Sequence, residues 1–431
     1  MRLYREVGVT TATALVIGNI VGAGIFTTSG LVAKDLGASP WLLGLWVLGG
    51  LLALAGAHCY ARLGVMYPRA GGEYAFLLPA FGPLPAFLSG WASLFIGFTA
   101  PLAACVLGLI HYLAPLLGLS SLNGWEAKLG AAGCLWMVGG VLSFGLRTSS
   151  RLQLWLTAIN VVFILAFVTA VWATSGGGSH LAEAVNGPLL PSNPLVLGSG
   201  LILVMFTYSG WNAAAYLAEE ITEPARSLPT ALLFGTGIVT LLYLAINAAY
   251  FAAAPLAELA GRIPVAQIAA NHVLGERTAV AVNLLIAVSL LSSLTAMSIA
   301  GPRVYFAMAR DRLFPGRLAE VDPRRKIPLR AMWFQIVVAT VFTLVGTLYQ
   351  ILLYSGFVLL FFSALTVATL LLRPGTRWIP LLFVLANTAV LAAAAFSNPG
   401  EAAAGAATVA AGLPVYWYYR RRSSSGDPAA G

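Results

Sequence analysis

The sequence predicts an all-α polytopic membrane protein with twelve transmembrane helices. Three observations point there. Of 431 residues, 59% are hydrophobic and only 9% are charged, against about 25% charged in an ordinary soluble protein, so polar side chains are too few to coat a globular surface. Apolar runs of membrane-spanning length follow one another along the whole chain. No Lys, Asp or Glu falls in the core of any of those runs.

The spans lie near 11–34, 40–64, 82–113, 127–146, 151–174, 195–218, 229–253, 278–310, 331–348, 350–372, 378–397 and 403–419. Residues 1–10 precede them and a polar tail, 420–431, follows. The first span can serve as the insertion signal. Gly22-Ala23-Gly24 could mimic a cleavage site, but helical character resumes on both sides of it. No loop is long enough for a soluble domain. The net charge of +9 would suit a nucleic-acid partner, but its placement argues otherwise. With the amino terminus inside, all of the 24 basic residues except Lys34, Lys128, Arg262 and Arg277 fall on the cytoplasmic side. The positive-inside rule then places both termini in the cytoplasm.

Within the first span, Gly18-Asn19-Ile20-Val21-Gly22-Ala23-Gly24-Ile25-Phe26 has three glycines in seven positions. Glycine lets a helix open at low steric cost. Backbone that leaves the helix inside a bilayer has to line a cavity or be buried in protein. An opened helix offers N–H groups on one side and carbonyls on the other, a pairing suited to a zwitterion or an ion at the midplane. Span six repeats the weakness, with Ser209-Gly210 in the middle of Phe206-Thr207-Tyr208-Ser209-Gly210-Trp211-Asn212. Spans one and six are five apart, as in two inverted five-helix halves, here 11–174 and 195–372, around a shared site; 378–419 would be added helices. Taken singly, Gly18 and Gly22 also fit close helix packing, and Ser209-Gly210 a simple kink. Their joint occurrence favours opened helices and a carrier of a small polar solute.

Cys59, Cys105 and Cys134 lie in or beside spans and read as buried small residues. The histidines 58, 111, 180 and 272 have no metal-ligand spacing. No catalytic triad or phosphate loop is visible. A membrane-embedded enzyme would need titratable or metal-binding groups in the bundle.

Four separated motifs carry a family resemblance. They are the glycine-rich first span; Tyr60-Ala61-Arg62-Leu63-Gly64 through Tyr67-Pro68-Arg69-Ala70-Gly71-Gly72-Glu73-Tyr74; Phe206 to Asn212 with Glu219-Glu220-Ile221 and Pro224-Ala225-Arg226-Ser227-Leu228-Pro229; and Gly301-Pro302-Arg303-Val304-Tyr305-Phe306-Ala307-Met308-Ala309-Arg310-Asp311. The chain resembles the amino acid–polyamine–organocation (APC) superfamily, nearest to its L-amino-acid transporter branch and bacterial relatives. Ala23 stands where the family has serine, and Arg62 where it has glutamate. The resemblance implies a five-plus-five inverted repeat, the leucine-transporter-like fold, with helices 1 and 6 broken. It implies alternating-access transport of neutral L-amino acids across the plasma membrane. The carboxylate would meet N–H groups of Ala23 and Gly24, around Gly22. The ammonium would meet carbonyls of Ile20, Phe206 and Ser209. Phe206 would be the gate, with Gly210 and Asn212 beside the pocket.

Many proton-coupled or exchanging relatives carry a lysine in span five, and Asn160 takes that place here. Sodium is therefore the expected coupling ion and would be the sole bound cofactor. Its site maps onto carbonyls of Gly18 and Val21, the carbonyl of Ser289 and the hydroxyls of Ser292 and Ser293. Ion-independent exchange or uniport is the alternative, as is carriage of cationic amino acids or polyamines, and a non-transporting amino-acid sensor is a more distant rival. Glu219, Glu220 and Glu223 read either as solvated interfacial charge or as an inner gate paired to Arg62 or Arg69. Expected partners are the amino acid and the bilayer, with no nucleic acid. No disulfide-linked accessory subunit is expected, because the loop between spans three and four has no cysteine.

Overall fold

The computed structural model describes residues 3–114, 124–174, 178–189, 191, 193–262, 264–275, 279–345, 348–397 and 399–424. Among these residues it is helical throughout, and β-pairing is confined to one isolated parallel bridge, Val7 with Ile221. Helix α1 (Val9–Ile20) is followed by a 3₁₀ turn, Ala23–Phe26, and by α2 (Thr28–Leu36). Helix α3 (Trp41–Met66) stops at Tyr67 because Pro68 disfavours helical geometry in the residue before it. Gly71 and Gly72, at φ +116° and +55°, then turn the chain into α4 (Glu73–Phe81).

A long helix follows as α5 (Pro83–Ala92), a π-helical stretch Ser93–Thr99, and α6 (Ala100–Leu113). Pro101 accounts for the widened stretch, since it lacks an N–H and its ring crowds the preceding turn. Next come α7 (Trp125–Leu142), α8 (Leu146–Thr174) and the short α9 (Ser179–Val185). Helix α10 (Leu195–Thr207) gives way to turns and then to α11 (Ala213–Tyr216). Helix α12 (Pro224–Ala253) starts with proline at its first position, where a missing N–H costs nothing. Two short helices, α13 (Leu256–Leu259) and α14 (Val265–Leu274), lead to α15 (Ala279–Ala300) and α16 (Pro302–Arg310). The chain closes with α17 (Leu329–Val345), α18 (Leu348–Ala368), α19 (Trp378–Ser397), α20 (Pro399–Ala410) and α21 (Gly412–Ser424).

Length separates these helices. Among the described residues, five segments are long and apolar enough to cross a membrane: Trp41–Met66, Pro83–Leu113, Leu146–Thr174, Pro224–Ala253 and Val280–Arg310. Helices α1 and α10, at 12 and 13 residues, reach only about 18–20 Å at 1.5 Å per residue, short of a hydrocarbon core of about 30 Å. They are nonetheless central. Helix α1 packs on α12, α8 and α15, and α10 on α3 and α19. Large apolar side chains point outward from the bundle, among them Trp155, Val162, Phe234 and Leu241. This inversion of the soluble pattern marks a multi-pass membrane protein.

Close helix approach depends on small residues. A Cβ at Gly56 on α3 would lie 2.7 Å from the Trp211 ring and 2.8 Å from Phe383. At Gly237 on α12, by contrast, no atom lies within 4 Å of that position. Gly56→Val is expected to lower stability by about 1–3 kcal/mol through overpacking, with Gly237→Val neutral or slightly stabilising. Thermal unfolding of the two purified variants in one detergent checks the contrast.

Candidate functional site

Helix α1 loses its hydrogen-bonding pattern just after Ile20. Gly22 is extended (φ −123°, ψ −154°), and Ala23 opens the 3₁₀ turn. The N–H groups of the first residues of such a turn have no partner within it. Helix α10 ends at Thr207, and the turn region that follows passes through Gly210 at φ +101°. A side chain there would be strained, and its Cβ would lie 2.7 Å from Asn19 Nδ2 and 2.8 Å from the Asn19 carbonyl.

The two interruptions face each other. Asn19 Nδ2 donates to the Gly210 carbonyl at 3.4 Å. The Thr28 and Thr207 hydroxyls are 2.8 Å apart. Gly24 sits so close to Thr207 that a Cβ would come within 2.8 Å of its hydroxyl. From α12, the Tyr243 hydroxyl reaches the Ile20 carbonyl at 2.8 Å and the Thr207 carbonyl at 3.2 Å. One O–H thus serves the C-terminal carbonyls of both α1 and α10, groups that a helix leaves without partners. Tyr243 was not marked by the sequence, where it is one tyrosine among 15.

A small cavity of about 80 Å³ lies against this junction. Of the residues anticipated for a binding site, Phe206, Ser209, Gly210 and Asn212 line it, joined by Asn19. Ile20, Gly22, Ala23 and Gly24 are not part of its wall. In this conformation the cavity reaches α1 only at Asn19, because Thr207 fills the space beside Gly24 and the Ser293 hydroxyl stands 3.2 Å from a Cβ at Gly22.

The cavity also holds a carboxyl group. Glu73 lines it although α4 lies outside every span read from the sequence. Its side chain is buried; Tyr60 donates to Oε1 at 3.0 Å and Asn212 Nδ2 at 2.6 Å. Burial pushes its pKa above the ordinary carboxylate range, and the polar groups of Tyr216, Tyr60 and Asn212 pull it partly back. Acidic groups were sought only in the cores of spans, which leaves out Glu73. The available signal was Gly71-Gly72 directly before Glu73, a left-handed glycine pair that swings the start of α4 inward.

The residues mapped to a sodium site form a closed hydrogen-bond cluster. Gln153 Nε2 donates to Thr157 Oγ1 at 3.0 Å and to Ser292 Oγ at 3.2 Å, and occupies the space a Cβ on Gly18 would need. Ser289 donates to Asn160 Oδ1 at 2.6 Å. The Ser293 hydroxyl is 3.9 Å from the Cys105 sulfur. The Val21 N–H closes on the Ile17 carbonyl. The Gln153 amide thus bridges α8 to the hydroxyls of α15, its Oε1 accepting from Thr295 at 2.6 Å. Asn160 joins α8 to α15, and Thr157 joins α8 to the Ala14 carbonyl of α1.

Glu219 and Glu220, after α11, are paired with partners other than Arg62 and Arg69. Glu220 makes a bidentate pair with Arg303, both bonds 2.8 Å, with side chains 0% and 3% exposed. Glu219 binds Arg310 at 2.8 Å and accepts the Ala70 N–H at 3.2 Å. Arg69 pairs with Asp311 at 2.9 Å, and Arg62 donates to the Thr376 carbonyl at 2.6 Å. Arg303 and Arg310 stand near the two ends of α16, two helical turns apart and so on one side of it, and α16 packs on α4.

An all-helical membrane bundle with two facing helix interruptions beside a polar cavity has the architecture of a solute permease. The family model described as amino acid permease matches residues 7–413, and the chain belongs to that family. It is 29% identical over 378 residues to b(0,+)-type amino acid transporter 1 of Oryctolagus cuniculus, covering 87% of this chain and 77% of that one. It is 27% identical over 435 residues to Asc-type amino acid transporter 1 of Mus musculus, covering 96% and 81%. The same identity and chain coverage hold for large neutral amino acids transporter small subunit 2 of Homo sapiens, 80% of which is covered.

Two substitutions probe the junction and the paired end. Tyr243→Phe removes one hydroxyl from two carbonyls and should cost about 0.5–1.5 kcal/mol, with a larger loss of uptake than of stability. Glu220→Gln should cost about 3–5 kcal/mol by leaving Arg303 buried without its counter-charge, and adding Arg303→Met should recover most of it. Melting temperatures of Tyr243→Phe, Glu220→Gln and the Glu220→Gln/Arg303→Met double variant, with uptake by Tyr243→Phe, decide both expectations.

Proposed function

We propose that this protein is a secondary transporter of neutral L-amino acids, working by alternating access in the plasma membrane with both termini in the cytoplasm. In this reading it has twelve spans in a five-plus-five inverted repeat. Helices α1 and α2 form one broken span, and α10 and α11 form the other. The observation that carries the proposal is the meeting of the two interruptions at Asn19, Gly210 and Tyr243, beside a cavity lined by Phe206, Ser209 and Asn212.

The chemistry matches a zwitterion. The C-terminal ends of α1 and α10 bring carbonyls of Ile20, Phe206 and Ser209 toward an ammonium, and the turn from Ala23 brings N–H groups toward a carboxylate. An outward movement of Thr207 from Gly24 would extend the cavity to those N–H groups. Phe206, half-buried in the wall, would close over the bound amino acid. Ion pairs from Arg303, Arg310 and Arg69 would hold the inner end shut and part when it opens. The Gln153 amide, donating where a sodium ion would need oxygens, supports a sodium-independent cycle.

The test is an uptake panel in proteoliposomes containing the purified protein, with each labelled amino acid assayed in sodium and in choline medium. Neutral amino acids should be taken up and should compete with one another, arginine should compete weakly, and replacing sodium should change rates less than twofold. Phe206→Ala should cut uptake about tenfold or more, equivalent to ~1.4 kcal/mol, with melting temperature retained. Uptake that requires sodium would overturn the sodium-independent reading. Absence of uptake and of binding for every amino acid would overturn the transport reading itself.

A further inference from the structure

The cavity contains one group that the transport reading leaves without a task. Glu73 is buried at 6% exposure, yet it lines the space into which substrate would enter. Its two oxygens are treated differently. Oε1 receives both hydrogen bonds, from Tyr60 and from Asn212. Oε2 is buried with no hydrogen-bond partner. A carboxylate with one saturated and one bare oxygen, out of water, carries a heavy desolvation cost. A carboxylic acid with its proton on Oε2 does not.

No cation offsets the charge. The ionisable groups facing Glu73 are the neutral phenols of Tyr60 from α3, which donates to Oε1, and Tyr216 from α11, whose hydroxyl accepts from Asn212. Helix α5 brings no ionisable side chain and α18 no acidic or basic one. Helix α16 does pack on α4, but Asp311 at its end accepts from Tyr74, the neighbour of Glu73, and is matched there by Arg69. The charged cluster thus stops one residue short of Glu73.

Glu73 is also placed to sense movement. Gly71 donates its N–H to the Tyr216 carbonyl, and a Cβ on Gly72 would lie 2.4 Å from the Tyr216 ring. Asn212, which donates to Glu73, belongs to the interruption after α10. Any shift of α11 away from α4 would therefore withdraw the Asn212 donor from the carboxyl and admit water in the same motion, leaving Tyr60 in place.

We propose that Glu73 is a proton-carrying site that couples proton movement to substrate: its carboxylate takes a proton on Oε2 when the cavity closes and returns it to water when the inner end opens. The step is a plain protonation, H⁺ from external water to Oε2 and from Oε2 to cytoplasmic water, with no other bond made or broken. The proposal rests on the transport reading. Its sign is set by burial. Below the ordinary carboxylate range the group is protonated in both open and closed states, and closing carries no penalty. As pH rises through that range toward the raised value of the closed state, closing requires proton uptake and becomes harder.

The experiment uses the purified full chain in proteoliposomes with a trapped pH-sensitive dye, in sodium-free medium, with the best-carried neutral amino acid from the uptake panel. In the wild type, adding the amino acid should cause proton entry. An inward acid gradient of one pH unit should raise accumulation several-fold. In Glu73→Gln, proton entry per amino acid moved or bound should fall to background, and binding of the labelled amino acid to solubilised protein should lose its pH dependence. Size-exclusion profile and melting temperature serve as the folding control. Tyr60→Phe keeps the carboxyl but removes one donor to Oε1, so the pH midpoint of uptake should move upward. Wild-type uptake without proton entry would overturn the proposal while leaving transport intact. So would undiminished proton entry per amino acid in Glu73→Gln, or an unmoved midpoint in Tyr60→Phe. A wild type that neither binds nor moves any amino acid would instead remove the transport reading beneath it.

Discussion

Two helices end side by side in the middle of this bundle, and one hydroxyl answers both. The C-terminal carbonyls of α1 and α10 cannot be left unpartnered where water is scarce. Tyr243 of α12 reaches both. It is held by Trp46 of α3, edge-on at 5.6 Å, and by Tyr208 at 5.0 Å. Much of the local structure follows from this arrangement. Gly210 has to be glycine because Asn19 stands against it, and Gly24 has to be small because Thr207 does. A tyrosine bridging two backbone ends also fixes their separation, and with it the depth at which a solute can be held.

The far end of the bundle is organised by a different interaction. Arg303 and Glu220 are among its most deeply buried side chains, and their bidentate pair is joined by Arg310 with Glu219 and Arg69 with Asp311. Residues before α1 add a strap. Val7 bonds through its N–H to the Glu220 carbonyl and through its own carbonyl to the Thr222 N–H. Ion pairs of this kind add little net stability against an apolar alternative, because desolvation offsets the attraction. Their use lies in being a discrete, breakable set. Glu73 sits where this cluster meets the cavity, one residue from Tyr74 on one side and bonded to Asn212 on the other.

The family and the helical class were legible in the sequence for physical reasons. Low charge and long apolar runs leave few alternatives to a membrane bundle. The glycine-rich first span and Ser209-Gly210 marked where helical bonding lapses, because only glycine tolerates the geometry seen at position 210. What the sequence did not yield was pairing across the bundle. Which arginine meets Glu219 or Glu220 depends on where α16 is carried in the fold, so Arg62 and Arg69 were expected where Arg310 and Arg303 pair. Tyr243 and Gln153 were hidden because their roles depend on which face of α12 and α8 turns toward α1. Glu73 was passed over because acidic residues were sought inside spans, whereas the left-handed glycines before α4 carry this one inward from outside. The hydroxyls of α15 were legible as an oxygen-rich surface, but the Gln153 amide of α8 lying against Ser292 was not.

The central claim is that the amino acid lies between the two interrupted segments, its ammonium toward their C-terminal carbonyls and its carboxylate toward the turn at Ala23. An experimental structure of the protein saturated with a carried amino acid tests it most directly. The account predicts density bounded by Asn19, Phe206, Ser209 and Gly210, with the amino group within hydrogen-bonding distance of the Ile20, Phe206 or Ser209 carbonyls and the carboxylate at the Ala23 and Gly24 N–H groups. Density for the amino acid elsewhere in the bundle, or bound with its carboxylate turned away from α1 and α10, would contradict it.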